Sequence, residues 1–108
     1  MTAPFVNQLR TRGDVITMAP AGVPALAVRV EMPEVWDVVR VVVSPQESAL
    51  ALKTRALAAL YPTGATPDEF VMKLRGFEVL DEGASLASLG AVDGSIFLLT
   101  YRRRRAVR

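Results

Sequence analysis

Two groups of side chains in this sequence have residue types and spacing that could serve catalysis or ligand binding. They are the paired carboxylates and the clustered arginines. Adjacent acids stand at Asp68 and Glu69 and again at Asp81 and Glu82. Paired carboxylates serve acid–base catalysis or calcium binding, but neither pair is followed by further oxygen ligands at calcium-loop spacing. We therefore interpret both pairs as turn residues.

The residue types that carry most enzyme chemistry are missing, because the 108 residues include no cysteine and no histidine. Their absence excludes disulfides, thiolate nucleophiles, His-containing triads and nearly every catalytic zinc geometry. No constellation of Lys, Tyr, Ser or Thr takes their place. The composition predicts a protein that is not an enzyme and that uses no metal or cofactor.

Charge is divided unevenly along the chain. The chain has 13 Lys and Arg against 11 Asp and Glu, a net charge of +2, yet residues 102–108 alone hold five arginines and no acid. Residues 1–101 therefore carry a net charge of −3. We call residues 102–108 the arginine-rich tail. Its run of Arg102, Arg103, Arg104 and Arg105 predicts weak binding to nucleic acid, an anionic membrane or an acidic protein, or else a solvated end.

Residues 1–24 predict an irregular leader, because prolines and glycines interrupt every periodic pattern. Within this leader, residues 14–18 are compatible with one short strand. No stretch reaches the roughly 20 apolar residues of a membrane span. The N-terminus also lacks a basic-then-apolar secretory pattern, so we expect a cytoplasmic protein.

Residues 26–43 predict an antiparallel hairpin, because two alternating runs flank a break at Pro33 and Glu34. One face collects the apolar residues Leu26, Val28, Val30, Met32, Val39, Val41 and Val43. The alternation places Trp36 and Val38 on the opposite face. Trp36, the one tryptophan of the chain, is either an interface anchor or a cover for the hairpin mouth or the leader.

Residues 49–61 predict a helix that begins after Ser48, a favourable N-cap. One apolar stripe consists of Ala49, Leu52, Ala56 and Leu60. A second stripe, formed by Leu50, Leu57 and Tyr61, makes the apolar arc wider than one packed face requires. We expect the leader to cover this second stripe, or a second subunit to do so in a homodimer.

The C-terminal half predicts further strands after a loop at residues 62–68. Apolar residues alternate through the first of these strands: Phe70, Met72 and Leu74. This strand ends at Gly76, and the pair Val79 and Leu80 predicts a very short strand after it. A last strand runs through residues 96–101, which completes an α+β arrangement.

This order of elements resembles the β-grasp fold of ubiquitin-like proteins. Residues 45–53 resemble ubiquitin's entry into its helix, residues 73–86 its third-strand region, and residues 89–96 its last loop and strand. The resemblance covers about residues 26–105. It implies an α+β, ubiquitin-like β-grasp domain at residues 25–101, with a mixed four- to five-stranded sheet packed on one helix.

The C-terminal part departs from conjugated ubiquitin-like proteins, which end in Gly-Gly. No glycine follows Gly94, so adenylation, thioester transfer and sulfur carriage are not expected. The pattern of Gly90, Asp93 and Gly94 is similar to that of bacterial β-grasp proteins without diglycine, such as the YukD/EsaB group of type VII secretion. The resemblance implies a bacterial protein–protein interaction module. The alternatives are a modifier with an unusual C-terminus, and a nucleic-acid or membrane tether acting through the tail.

The resemblance also implies a partner-binding surface on the exposed sheet face. Together with the hairpin tryptophan, the candidate residues are Trp36, Val38, Val71, Lys73, Leu98 and Thr100. Val42 and Ile96 extend this surface. Exposed apolar patches of this kind usually serve recognition, and the alternative is a solvated face with scattered apolar residues.

Overall fold

The computed structural model describes residues 15–61 and 66–102. These residues form β-strands and one α-helix. Within these residues the strands are β1 (Ile16–Thr17), β2 (Leu26–Met32), β3 (Asp37–Val43), β4 (Phe70–Leu74), β5 (Phe77–Glu78) and β6 (Ile96–Tyr101), and the helix is α1 (Ala49–Leu60). Short 3-10 turns lie at Pro33–Val35 and Pro67–Glu69. The α+β class is confirmed.

One mixed sheet contains all the described strands, in the order β1-β3-β2-β6-β4-β5. β2 pairs antiparallel with β3 and parallel with β6, while β4 pairs antiparallel with β6. The described sheet thus has six strands rather than the expected four or five. The excess comes from β1 and β5, two-residue strands at the two edges.

The core lies between α1 and the sheet face predicted by the alternation. Its buried members from the strands include Val28, Val30, Met32, Val39, Val41, Val43, Phe70, Met72, Phe97 and Leu99. The helix contributes the predicted stripe of Ala49, Leu52, Ala56 and Leu60. Ser48 caps α1 as predicted, because its Oγ accepts a hydrogen bond from the Ala51 amide at 3.1 Å. Such a cap contributes about 1 kcal/mol.

Two residues of the second helix stripe pack within the domain. Leu57 is 2% exposed and belongs to the core cluster, while the ring of Tyr61 meets Phe70 of β4 edge-on at 5.9 Å. Both residues therefore contact the core of the domain itself, and the cover expected from the leader or a second subunit stays a prediction. Leu50 remains 43% exposed.

The short strand expected at Val79 and Leu80 lies instead at β5. Arg75 (φ 53°) and Gly76 (φ 86°) form a two-residue turn in which both residues are left-handed, as tight hairpins require. The chain therefore reverses at once, and the residue after Gly76 already pairs with Leu74. Val79 follows with a hydrogen bond from its amide to the Met72 carbonyl.

The leader contributes one element to the sheet. β1 falls within the strand predicted at residues 14–18 and pairs in parallel with β3. Ile16 and Met18 pack against the core, so this part of the predicted leader is not irregular. Residues 1–14 lie outside the described part of the chain.

Candidate partner-binding surface

A transverse row of side chains crosses the sheet face that points away from α1. Val38 on β3 lies opposite Glu31 on β2, which lies opposite Leu98 on β6. Leu98 in turn lies opposite Lys73 on β4, which lies opposite Glu78 on β5. The structure therefore joins the predicted residues Val38, Leu98 and Lys73 in one row that carries both apolar groups and charges of both signs.

A hollow of about 640 Å³ lies beside this row, at the end of β6. Glu34, Lys73, Glu78, Thr100 and Arg102 are among its lining residues. Leu98 and Thr100 are half-buried on this face. Thr100, a predicted site residue, thus borders the hollow.

Val71 does not belong to the accessible surface, which corrects the prediction. It points to the outer face opposite Thr100, but it is only 6% exposed. The reason is its short side chain, which lies in the hollow among the longer side chains of Lys73 and Arg102. Alternation correctly predicts the face, while the length of the neighbours decides the exposure.

Trp36 ends the hairpin turn and is 91% exposed. It is not a strand residue, because its φ of 53° and ψ of 44° are left-handed and its amide donates to the Pro33 carbonyl. Because the ring is so exposed, it does not cover the hairpin mouth. That cover was the alternative to an interface anchor. Trp36, Val38 and Glu31 line a shallow hollow of about 290 Å³ at the β3 end of the row.

The turn that ends at Trp36 is hydrogen-bonded to the end of β6. The Glu34 carboxylate accepts a hydrogen bond from the Tyr101 amide at 3.3 Å. This contact holds the Trp36 turn beside the end of β6, where the larger hollow lies. The predicted residues apart from Val71 thus lie around one continuous face.

The structure contains a buried ion pair that was not predicted from the sequence. Lys53 of α1 is 1% exposed, and its Nζ donates to the Phe70 carbonyl at 2.9 Å and to Glu82 Oε2 at 2.7 Å. Glu82 is therefore more than the turn residue that we expected. Helical spacing could have indicated that Lys53 is buried. It lies four residues from both Ala49 and Leu57 and therefore falls within the apolar arc of the helix.

Two further large apolar side chains are exposed near the β4–β5 turn. Phe77 is 77% exposed and Leu80 is 83% exposed. Their exposure was not predicted from the sequence. Within residues 15–61 and 66–102, no group of three or more acids assembles as a metal site. Phe77 and Leu80 line neither hollow of the candidate surface.

The tail begins at the end of β6, where Arg102 is held by the 3-10 turn that precedes β4. The Arg102 amide donates to the Glu69 carbonyl at 2.8 Å, and its Nε donates to the Asp68 carbonyl at 2.9 Å. Asp68 and Glu69 lie in a 3-10 turn, as their turn assignment predicts. Arg103, Arg104 and Arg105 lie outside the described residues.

These contacts predict that two truncations differ. A chain ending at Tyr101 should be less stable by about 1–2 kcal/mol than one ending at Arg102, because it lacks both hydrogen bonds. Urea denaturation of the two truncated proteins measures this difference. Equal stabilities would contradict the role of Arg102.

The same proteins test the tail as a polyanion site. We expect the full chain to bind duplex DNA weakly, with a salt slope no steeper than that of about five phosphate contacts. Both truncated proteins should lose this binding. Retained binding would place the site on the acidic body instead of the tail.

The comparisons with known proteins support the fold. No protein-family model matches the chain, and no curated protein matches it. Among solved structures, the ubiquitin-like domain of an Arabidopsis thaliana protein is 20% identical with a TM-score of 0.64, and it covers 83% of this chain and 92% of its own. The ubiquitin of Caldiarchaeum subterraneum is 20% identical with a TM-score of 0.63, covering 77% and 100%. The C-terminal ubiquitin-like domain of mouse tubulin-specific chaperone e is 10% identical with a TM-score of 0.65, covering 82% and 98%.

The class of protein follows from the sheet order and these similarities. The chain has a ubiquitin-like β-grasp fold, with a mixed sheet and one helix within the described residues. No helix in residues 15–61 and 66–102 is long and apolar enough to cross a membrane.

Proposed function

We propose that this protein is a ubiquitin-like interaction module that binds a protein partner without covalent chemistry. The partner contacts Trp36 and Val38 at the hairpin and Leu98, Lys73 and Thr100 on the adjoining strands. The observation that carries the proposal is the conformation of Trp36. A large aromatic ring that is 91% exposed contributes little to folding, and a left-handed backbone is unfavourable for a bulky residue such as tryptophan.

The charges on the row define what such a partner offers. Leu98 is flanked by Glu31 and Lys73, so a matching surface presents an apolar group between a basic and an acidic one. Trp36 at the rim then fills a pocket of the partner, the common role of a tryptophan at an interface. Neither the contact at Leu98 nor the insertion of Trp36 needs a nucleophile or a metal, so the proposed role is non-enzymatic.

A narrower role within this proposal is that of a cytoplasmic accessory of type VII secretion in a bacterium. It is supported by the resemblance at Gly90, Asp93 and Gly94. A partner from the secretion apparatus supports this narrower role, and a partner from another pathway contradicts it.

Photocrosslinking followed by affinity measurement tests the interaction surface. Benzoylphenylalanine in place of Trp36 should crosslink the partner in cells, where mass spectrometry identifies it. With both proteins purified, burial of the ring should shift the Trp36 fluorescence to the blue. Trp36→Ala should weaken binding about 30-fold, which corresponds to about 2 kcal/mol, the loss typical of an aromatic residue that fills a pocket of its partner.

Two further variants make this test specific. Leu98→Ala should also weaken binding, because it removes the apolar centre of the row. Phe77→Ala is the matched control, since it removes another strongly exposed ring, from outside the surface, and should leave the affinity within twofold. Unchanged affinity in Trp36→Ala, or an equal loss in Phe77→Ala, contradicts the proposal.

A further inference from the structure

Two arginines face each other on the outer side of the hairpin. Arg29 on β2 and Arg40 on β3 are directly opposite in the antiparallel register, and both side chains are exposed. Like charges at directly opposed positions destabilise a sheet. Within residues 15–61 and 66–102, neither guanidinium has a carboxylate within 4.0 Å, since the described salt bridge joins Lys53 and Glu82. Folding therefore does not explain this pair.

The arginines border a hollow of about 510 Å³ with an apolar floor. Ala27, Val42 and Ile96 contribute to its lining, and Ile96 is 45% exposed. Asp93 stands at the rim, where its Oδ1 accepts a hydrogen bond from the Ala27 amide at 2.7 Å. This carboxylate is therefore engaged with the backbone of the sheet.

We propose that this hollow binds an extended protein segment with acidic and apolar residues at every second position, because residues two apart point to the same side of an extended chain. Carboxylates of the segment lie between Arg29 and Arg40, whose guanidinium groups bind carboxylate oxygens in a bidentate manner. Its apolar side chains lie on Val42 and Ile96. Binding removes the repulsion between the two arginines and buries apolar surface.

Charge and composition favour a protein segment over nucleic acid. Duplex binding usually engages a series of phosphates, whereas this hollow offers two arginines above apolar side chains. Residues 1–101 carry a net charge of −3, which opposes a ligand with many phosphates more strongly than a segment with two carboxylates. A segment with a few carboxylates and apolar side chains matches both parts of the hollow.

The site goes beyond the proposed function, since it uses neither Trp36 nor Lys73. The two surfaces share the outer sheet face but depend on different residues. Trp36→Ala leaves both arginines in place, and Arg40→Gln leaves the Trp36 turn in place. The failure of one proposal is thus distinguishable from the failure of the other.

A titration of the full chain followed by NMR tests the site. The probe is the capped peptide Glu-Ser-Val-Ser-Glu at low salt, whose two Glu and one Val point to the same side when it is extended, and the control peptide carries Gln in place of each Glu. We expect the acidic peptide to shift the amide signals of Arg29, Arg40, Val42 and Ile96. Arg40→Gln should weaken its binding about tenfold, while its thermal midpoint stays equal or rises because the like-charge contact is lost.

The matched control is Arg55→Gln, which removes the same charge from an exposed position on α1. It should leave the affinity within twofold. Equal binding of the Gln peptide, an equal loss in Arg55→Gln, or shifts confined to Leu98 and Lys73 would overturn the proposal. So would a 12-base-pair DNA duplex that binds at Arg29 and Arg40 more tightly than the peptide.

Discussion

Glu82→Ala is expected to lower the free energy of unfolding by about 3 kcal/mol, the low end for breaking a buried ion pair. The Lys53 ammonium is 1% exposed, so losing its carboxylate partner leaves a buried charge with the Phe70 carbonyl alone. The 21% exposure of the Glu82 side chain keeps the expected loss at this low end. Urea denaturation with linear extrapolation measures it.

Three comparisons distinguish the ion pair from a general effect of removing an acid. Glu78→Ala removes an exposed carboxylate and should change stability by no more than about 0.5 kcal/mol. Lys53→Met removes the buried charge and should cost less than Glu82→Ala, about 1 kcal/mol, because the Phe70 carbonyl loses its donor. In the Lys53→Met background, Glu82→Ala should then cost under about 1 kcal/mol. If Glu82→Ala lowers stability as much in that background as in the wild type, the two residues do not interact as described.

Phe70→Ala is expected to lower the free energy of unfolding by about 3–5 kcal/mol, the cost of a cavity at a buried aromatic residue. The Phe70 ring is 0% exposed, stacks on Tyr101 at 4.7 Å and meets Tyr61 at 5.9 Å. Phe77→Ala is the matched control, since that ring is 77% exposed and its loss should cost no more than about 0.5 kcal/mol. Similar losses in the two variants contradict the packing described for β4.

The same aromatic cluster predicts a pH dependence. The hydrogen bond to the Tyr61 hydroxyl, followed by burial and the nearby acids Glu34 and Glu69, raises the pKa of Tyr101 above its ordinary value of 10.0. A raised pKa in the folded state stabilises the protein below pH 10, and this contribution is lost as pH rises through the folded-state pKa. Ultraviolet titration should show Tyr101 ionising later in the wild type than in Tyr61→Phe, and coincident curves contradict the contact.

Much of the fold was predictable because its signals are local. The alternation from Leu26 to Met32 and the Ser48 cap depend on spacing within one element, and the structure confirms both. The turn at Gly76 and the strand ending at Tyr101 were recognisable in the same way. The order of these elements then led to a ubiquitin-like fold, which the solved structures support.

Exposure on the outer face was harder to predict, because it depends on the neighbours of each side chain. Val71 and Leu98 both alternate outward, yet Val71 is 6% exposed among longer side chains and Leu98 is half-buried. Trp36 also departs from its predicted strand position. The 3-10 turn before it changes the backbone to a left-handed conformation, which a period-two pattern does not encode.

By itself, the sequence determined the helix, the apolar faces of the main strands and the acidic body with its arginine-rich tail, because these depend on residue type and short-range spacing. The tertiary structure decided which distant residues meet. The Lys53–Glu82 ion pair joins residues 29 apart along the chain. The opposition of Arg29 and Arg40 needs the observed hairpin register, and a shift of one strand by one residue would place the two arginines on opposite faces of the sheet. Contacts between strands, and not local periodicity, thus create both the buried ion pair and the candidate sites.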